Sequence, residues 1–238
     1  MASDSPPPTG AVPDVFVIVA AYNEADRIAA TLAALAAAFP GASVWVADDG
    51  STDATAALAK AAGATVVRSE RVIGKGGAVT RAARAALAPA AATGSVALLC
   101  DGDLGESAAR LGALVEAVRS GQTDLAVGSF SRRVGGGFGL AVGFARWSIR
   151  RRCGLELRAP ISGQRALRAE LLAQVLPFAH GFGMEIGMTI DAARTGGRVA
   201  ELDLDLSHRA TGRTLGGFLH RGRQLVDFVR VYVSRRRG

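Results

Sequence analysis

The 238-residue chain predicts an α/β fold, a mostly parallel sheet with flanking helices, and three observations carry that expectation. Short β-rich apolar runs alternate with Ala/Leu-rich helical stretches through the first half. The runs are apolar at every position rather than every second one, which is the pattern of strands covered on both faces. Hydrophobic residues make up 49% of the chain but aromatics only 5%, so the core must rest on Ala, Val and Leu, as where helices pack on a sheet.

Residues 15–20 read as the first strand, and 26–39 follow as a helix that Pro40 and Gly41 end. Residues 43–48 read as a second strand, after which Ser51 or Asp53 caps a helix running to Gly63. A third strand covers 64–68, a Gly-rich loop at 74–77 opens the next helix, and 95–100 is a fourth strand. Short strands joined by helical crossovers pair in parallel, because a hairpin cannot join parallel neighbours. Residues 101–105 interrupt the alternation, a helix from about 107 to 119 resumes it, and 124–129 reads as another strand. Five glycines between 132 and 143 leave too much backbone freedom for a stable element, so that stretch reads as a mobile loop or lid. Helices are expected at 165–176 and 184–195, with a final strand at 199–204. The organisation expected is a disordered Pro/Ser-rich leader at 1–13, one domain at 14–213 and a basic amphipathic helix at 214–238.

The formal charge of +7 lies entirely in the last part of the chain, since residues 208–238 hold eight arginines against one aspartate. A basic tail beside apolar residues suits an anionic membrane surface, whereas a nucleic-acid binder would carry base-stacking aromatics with its cations, so no nucleic acid is expected. The apolar stripe of Leu215, Phe218, Leu219, Leu225, Val226 and Val229 would lie on lipid or, alternatively, pack on the sheet or on a second subunit in a homodimer. Two cysteines, Cys100 and Cys153, have neither the number nor the spacing of a disulfide framework or zinc site. With an acidic residue where a secretory signal would be basic, and no run of roughly 20 apolar residues, the chain reads as cytoplasmic, with the inner membrane face as the surface its tail would meet.

In open α/β sheets ligands bind beyond the carboxyl ends of the strands. Those positions hold Tyr22-Asn23-Glu24, Asp48-Asp49-Gly50-Ser51, Gly74-Lys75-Gly76-Gly77 and Asp101-Gly102-Asp103. Each cluster has a local explanation as a helix cap or turn, but four in succession on one edge point to a site. Asp101 and Asp103, separated by one small residue, can face one ligand from a loop, and their hard oxygens suit Mg2+ or Mn2+ bridged to a diphosphate.

Through Ala20-Ala21-Tyr22-Asn23-Glu24, Asp48-Asp49-Gly50-Ser51-Thr52-Asp53 and Asp101-Gly102-Asp103-Leu104, the sequence resembles the family 2 glycosyltransferases over about residues 15–129. The resemblance implies a GT-A fold and a nucleotide-sugar donor. It implies that Ala20, Tyr22, Glu24 and Gly102 line the nucleotide-sugar pocket, Asp49 bonds the base, and Lys75 lies near base or phosphates. By the same resemblance Asp101 contacts ribose or sugar and Asp103 binds the metal.

Ser162-Gly163-Gln164-Arg165 and the segment 181–187 are similar to acceptor-side segments of polyprenyl-phosphate glycosyltransferases and glucosyl-3-phosphoglycerate synthases. That similarity implies a phosphate-bearing acceptor near Ser162 and Gln164, with Arg165 on its phosphate. Glu185 would hold or deprotonate the acceptor, and His208 would complete the metal site. The activity expected is glycosyl transfer from a UDP- or GDP-sugar to a phosphate-bearing acceptor such as polyprenyl phosphate. Two alternatives stand: transfer to a small soluble acid such as 3-phosphoglycerate, or a sugar-phosphate nucleotidyltransferase, which would normally carry a Gly-rich basic loop after the first strand. A dinucleotide oxidoreductase is disfavoured because no G-x-G-x-x-G follows that strand.

Overall fold

The computed structural model describes residues 14–88, 94–130, 139–204 and 227–235. Along the chain lie β1 (Val15–Ala21), α1 (Ile28–Ala38), β2 (Ser43–Asp48), α2 (Thr55–Ala61), β3 (Thr65–Arg68), α3 (Lys75–Leu87) and β4 (Val96–Asp101). They are followed by α4 (Gly112–Arg119), β5 (Leu125–Phe130), α5 (Gly139–Cys153), β6 (Arg165–Arg168), α6 (Ala169–Val175), α7 (Met184–Arg194) and β7 (Val199–Leu204). A last helix, α8, covers 227–234.

The seven strands form one sheet in the order β3-β2-β1-β4-β6-β5-β7. β1 pairs in parallel with β2 and β4, β2 with β3, and β5 with β7, while β6 runs antiparallel between β4 and β5. The core lies on both faces, as the unbroken apolar runs require. Val15, Val17 and Val19 face a cluster with Ile28, Leu32 and Leu35 of α1 and Leu114 and Val118 of α4. Phe16 and Ile18 face the opposite cluster with Val79 and Ala83 of α3, Leu172 of α6 and Met188 of α7. Alanines at the helix faces let the backbones approach the sheet closely, which is how so few aromatics suffice to fill the interior.

Three expectations change. The helix expected at 165–176 is a four-residue strand followed directly by α6. Ala166 and Leu167 are buried in opposite clusters, the alternation of a covered strand, and a run this short has too little length for periodicity to separate strand from helix. The first turns of the helix expected at 107–119 are 3-10, over Gly105–Leu111, before α4 begins. Of the Gly-rich stretch 132–143, residues 131–138 lie outside the described residues, but Gly139 and Gly143 belong to α5, where packing of Ala145 and Ile149 overrides poor helix propensity.

Among the described residues no helix is long and apolar enough to cross a membrane. Cys100 is buried and Cys153 partly so, both as free thiols, and burial pushes both thiols up from their ordinary range. α8 packs Phe228 and Val231 into a third cluster with α5 and α7, and Arg235 pairs with Asp191 of α7.

At the far edge Asp124 closes the β5–β7 pair: its carboxylate accepts from Arg198 N at 2.8 Å and from the Arg198 guanidinium at 3.1 Å, and Arg168 lies 3.2 Å away. The hydrogen bonds from Arg198 outweigh burial and hold the Asp124 carboxyl below its ordinary 3.8. A depressed carboxyl stabilises the fold above its unfolded value, and that stabilisation is lost as pH falls through the folded one. Asp124→Asn should therefore lower stability by about 1–2 kcal/mol at neutral pH, and the gap to wild type should close in acid, below the ordinary aspartate range. Denaturant unfolding as a function of pH measures both.

Candidate active site

The parallel register aligns the strand ends. Ala21 sits opposite Asp48 and Ala20 opposite Asp101, so the loops after β1, β2 and β4 leave one edge side by side, with β2 and β4 about 10 Å apart across β1. Asn23, at φ 54, turns the chain sharply after β1. Its N–H donates to Ser51 Oγ at 2.9 Å and its Oδ1 accepts from Thr52 N at 2.9 Å, so the first two loops are tied together. Glu24 N donates to Thr55 Oγ1 at 2.8 Å, which adds the start of α2. Tyr22 remains 47% exposed, open to a ligand at this edge.

Asp49 is buried and joins β2 to the loop before α3: its carboxylate accepts from Ile73 N at 2.7 Å and Gly74 N at 2.9 Å. Burial raises the Asp49 carboxyl above its ordinary value, against the pull of those two bonds. Gly74 has φ +87, a left-handed conformation that an L side chain rarely adopts. Two residues on, Gly76 lies so close to the 179–180 backbone that an added Cβ would stand 1.9 Å from Ala179 O. These contacts aim the first side chain of α3, Lys75, across the strand ends.

Lys75 Nζ lies 2.6 Å from Asp101 Oδ1 at the end of β4 and 2.8 Å from Glu185 Oε1 in the first turn of α7. Burial alone would lower the Lys75 ammonium, but the Asp101 and Glu185 carboxylates outweigh it and hold the group above its ordinary range. The other Asp101 oxygen accepts from Gln164 Nε2 at 2.8 Å, and Asp101 N donates back to Gln164 Oε1 at 3.1 Å. Gly163 completes the nest, since a Cβ there would stand 2.6 Å from both Lys75 Nζ and Asp101 Oδ2. Gly102 N donates to Ala20 O at 2.8 Å, and Thr31 Oγ1 bonds Gly102 O and Gly105 N, so the Asp-Gly-Asp loop is anchored on both sides. The Asp103 side chain is half-buried, and its carbonyl accepts from Arg27 at 3.1 Å.

Thus Asp101, Lys75 and Glu185 meet, with Gln164 as their support, and Asp49 and Asp103 flank them on the same edge. Ser162 is buried; its Oγ accepts from Gln164 N at 3.3 Å. Arg165 stands apart from any open surface: fully buried, it donates to Ser162 O at 2.8 Å, Thr189 Oγ1 at 2.9 Å and Pro160 O at 3.1 Å. Burial pulls its guanidinium down from its ordinary range to about 10, with Glu185 and Glu201 opposing. In this position it ties the 160–162 loop to α7, the helix that carries Glu185. His208 lies outside the described residues. The parts that sequence reasoning missed are the Gln164–Asp101 exchange and the close approach of Gly163; an antiparallel β6 ending the switch from β4 was the signal needed, and four residues did not show it.

A parallel nucleotide-binding half, crossing over to an antiparallel strand beside β4 with acidic loops gathered at the crossover, makes this an α/β enzyme of the GT-A type. The chain belongs to the family 2 glycosyltransferases: the model of "Glycosyl transferase family 2" matches residues 16–175. It is 32% identical, over 91% of its length and 93% of the other's, to the undecaprenyl-phosphate mannosyltransferase of Micrococcus luteus. To the glucosyl-3-phosphoglycerate synthase of Mycolicibacterium paratuberculosis it is 32% identical over 74% of its length, spanning 59% of that protein. Among solved structures, glucosyl-3-phosphoglycerate synthase from Mycobacterium tuberculosis in complex with Mn2+, UDP and glucosyl-3-phosphoglycerate superposes with a TM-score of 0.74 at 29% identity, covering 94% of this chain and 80% of that one. The same enzyme with Mg2+ and UDP gives 0.73 at 28% identity, covering 94% of this chain and 79% of that one.

Two substitutions test the scaffold. Gly163→Ala drives the added methyl against both the Lys75 ammonium and the Asp101 carboxylate that Gln164 holds in place, so it should lower the melting temperature and also pry Lys75 from Asp101, lowering turnover by about tenfold or more; kinetics at a temperature where the variant is fully folded separates the two effects. Arg165→Met should cost about 2–4 kcal/mol, since it strands two buried carbonyls and a hydroxyl, measured by denaturant unfolding.

Proposed function

We propose that this glycosyltransferase moves a sugar from a UDP- or GDP-sugar to a phosphate-bearing acceptor of the polyprenyl-phosphate kind. The observation that carries the reading is the Lys75 bridge between Asp101 and Glu185, which joins a donor-side carboxylate to an acceptor-side one within 2.8 Å of a single ammonium. The near end-to-end likeness to a mannosyltransferase acting on undecaprenyl phosphate supports the lipid-linked acceptor.

In this reading the bond from the anomeric carbon to the nucleoside diphosphate breaks and a bond to an acceptor oxygen forms. A phosphate monoester is already an anion at neutral pH, so it attacks without giving up a proton. Glu185, paired with Lys75, then orients the acceptor rather than deprotonating it. Tyr22, Glu24 and Asp49 line the nucleoside side, while Lys75 and the amino end of α3 offset charge on the diphosphate. Ser162 and Gln164 bound the acceptor side through the 162–164 segment.

A divalent cation fits this edge. Asp103 offers a half-buried hard-oxygen donor beside Asp101, and although no group of three acidic, His or Cys side chains gathers among the described residues, Mg2+ is usually held by one or two carboxylates plus substrate phosphates. Asp103 would hold the ion, with His208 as a further ligand, and a bound Mg2+ or Mn2+ would neutralise charge on the departing diphosphate. The solved synthase complexes with Mn2+ or Mg2+ and UDP support that choice of ion.

The likeness to the synthase favours a second reading, with 3-phosphoglycerate as acceptor. There the attacking group would be a hydroxyl and Glu185 would have to take its proton. Incubation with UDP- or GDP-sugars, a divalent ion, and either undecaprenyl phosphate or 3-phosphoglycerate, followed by mass spectrometry, tells the readings apart. Product only with the lipid supports the first, product only with the acid overturns it in favour of the second, and neither product overturns both. Asp103→Ala should abolish ion-dependent turnover while leaving the melting temperature within a few degrees, because its side chain makes no core contact; full activity in that variant removes Asp103 from the site.

A further inference from the structure

Three of the five large apolar side chains that are exposed among the described residues, Trp147, Val229 and Val233, lie on the neighbouring helices α5 and α8. Trp147 and Tyr232 rings stand 4.7 Å apart and Phe144 lies 5.6 Å from Trp147, so the two helices share one aromatic cluster. Residues 144 and 147 on α5, and 229, 232 and 233 on α8, follow the three-and-four spacing of a single helix face. Arg152 staples the pair: its guanidinium sits 3.7 Å over the Tyr232 ring and donates to Tyr232 O at 2.8 Å.

The charge around this apolar strip is mainly positive. α5 carries no acidic residue, and α8 carries only Asp227, whose side chain is 19% exposed. Arg146, Arg150 and Arg151 line a groove of about 1040 Å³ beside Trp147 and Leu157, together with Glu156 and with Glu201, which Arg158 neutralises at 3.2 Å. Arg151 makes no ion pair or hydrogen bond among the described residues, and Arg150 has only Glu156, at 3.6 Å with both side chains exposed, a contact that contributes little. A second copy of the chain would bring the same arginines to the interface, so repulsion disfavours a symmetric pairing. Lipid phosphates supply the missing negative charge, and a bilayer interface suits half-exposed Trp and Tyr between an apolar layer and a layer of arginines.

We propose that α5 and α8 together form the surface that seats this protein on an anionic lipid bilayer. Trp147, Val229 and Val233 enter the headgroup boundary, and Arg146, Arg150, Arg151 and Arg230 contact lipid phosphates. The surface is independent of which acceptor the site takes and does not require the rest of the basic tail. It also lies within a few contacts of the site. An added Cβ at Gly181 would stand 2.0 Å from the Asp227 carboxylate at the start of α8, and one at Gly74 would stand 3.2 Å from Gly181 Cα. The loop held by Asp49 therefore approaches the start of α8 through Gly181.

Co-sedimentation of the full chain with phosphatidylcholine vesicles, with and without phosphatidylglycerol, tests this. Wild type should bind only the anionic vesicles, release at high salt, and show a blue shift of Trp147 emission on binding. Both Trp147→Ser/Val233→Ser and Arg150→Glu/Arg151→Glu should bind about tenfold more weakly or worse, the arginine variant with an unchanged melting curve and the Trp147 variant with a lower melting temperature but the wild-type circular dichroism spectrum at the assay temperature. No wild-type binding to phosphatidylglycerol vesicles overturns the proposal whatever the variants do. So does undiminished binding by both folded variants, or a wild-type dimer that the Trp147 variant dissociates. None of these readouts uses glycosyl transfer, so failure here leaves the proposed reaction standing and failure there leaves this surface standing.

Discussion

The candidate site depends on one buried-edge interaction: a single ammonium, Lys75, held between two carboxylates that come from opposite halves of the chain. Without the cation, Asp101 and Glu185 would confront each other at a partly desolvated edge, where like charges repel far more strongly than in water. With it, β4, α3 and α7 are fixed relative to one another. Much of the surrounding architecture serves that contact. Asp49 pins the loop that aims Lys75, Gln164 turns Asp101 toward it, and Gly163 and Gly76 supply the close backbone approach that any side chain would block.

The same economy explains the buried arginine. Arg165 follows Gln164 directly, so one short strand presents a side chain to the site from Gln164 and sends the next into the opposite layer, where Arg165 binds the 160–162 loop to α7. A guanidinium has enough fixed donors to satisfy three separated acceptors at once, which is why burial is tolerable there. The half of the site around Gln164 and Glu185 is thus held by polar contacts inside the protein, whereas the half at the ends of β1, β2 and β4 is held by strand register.

That difference governs what could be read in advance. The residues after β1, β2 and β4 follow unbroken apolar strands, and strand direction alone carries Tyr22, Glu24, Asp49, Asp101 and Asp103 to one edge. The residues of the 162–165 segment follow a weaker signal. β6 is four residues long and antiparallel, so 165–176 reads as helix, and the resemblance that assigned Arg165 to a phosphate had no means of showing a guanidinium turned inward. Likewise the first five residues of α5, 139–143, read as part of a glycine-rich loop, because their helical state is decided by packing of α5 against α7 and α8 rather than by their own composition.

From its order of residues alone, then, the chain determined a mostly parallel sheet, the edge where chemistry gathers, the acidic pairs on it and the family to which they belong, because burial on both faces and strand polarity are local properties. Only the tertiary structure decided that Lys75 bridges Asp101 to Glu185, that Arg165 is an internal tie, and that Trp147 joins Tyr232 on a common face. Each of these joins residues tens of positions apart through contacts of a few ångströms, and no periodicity along a chain encodes such distances.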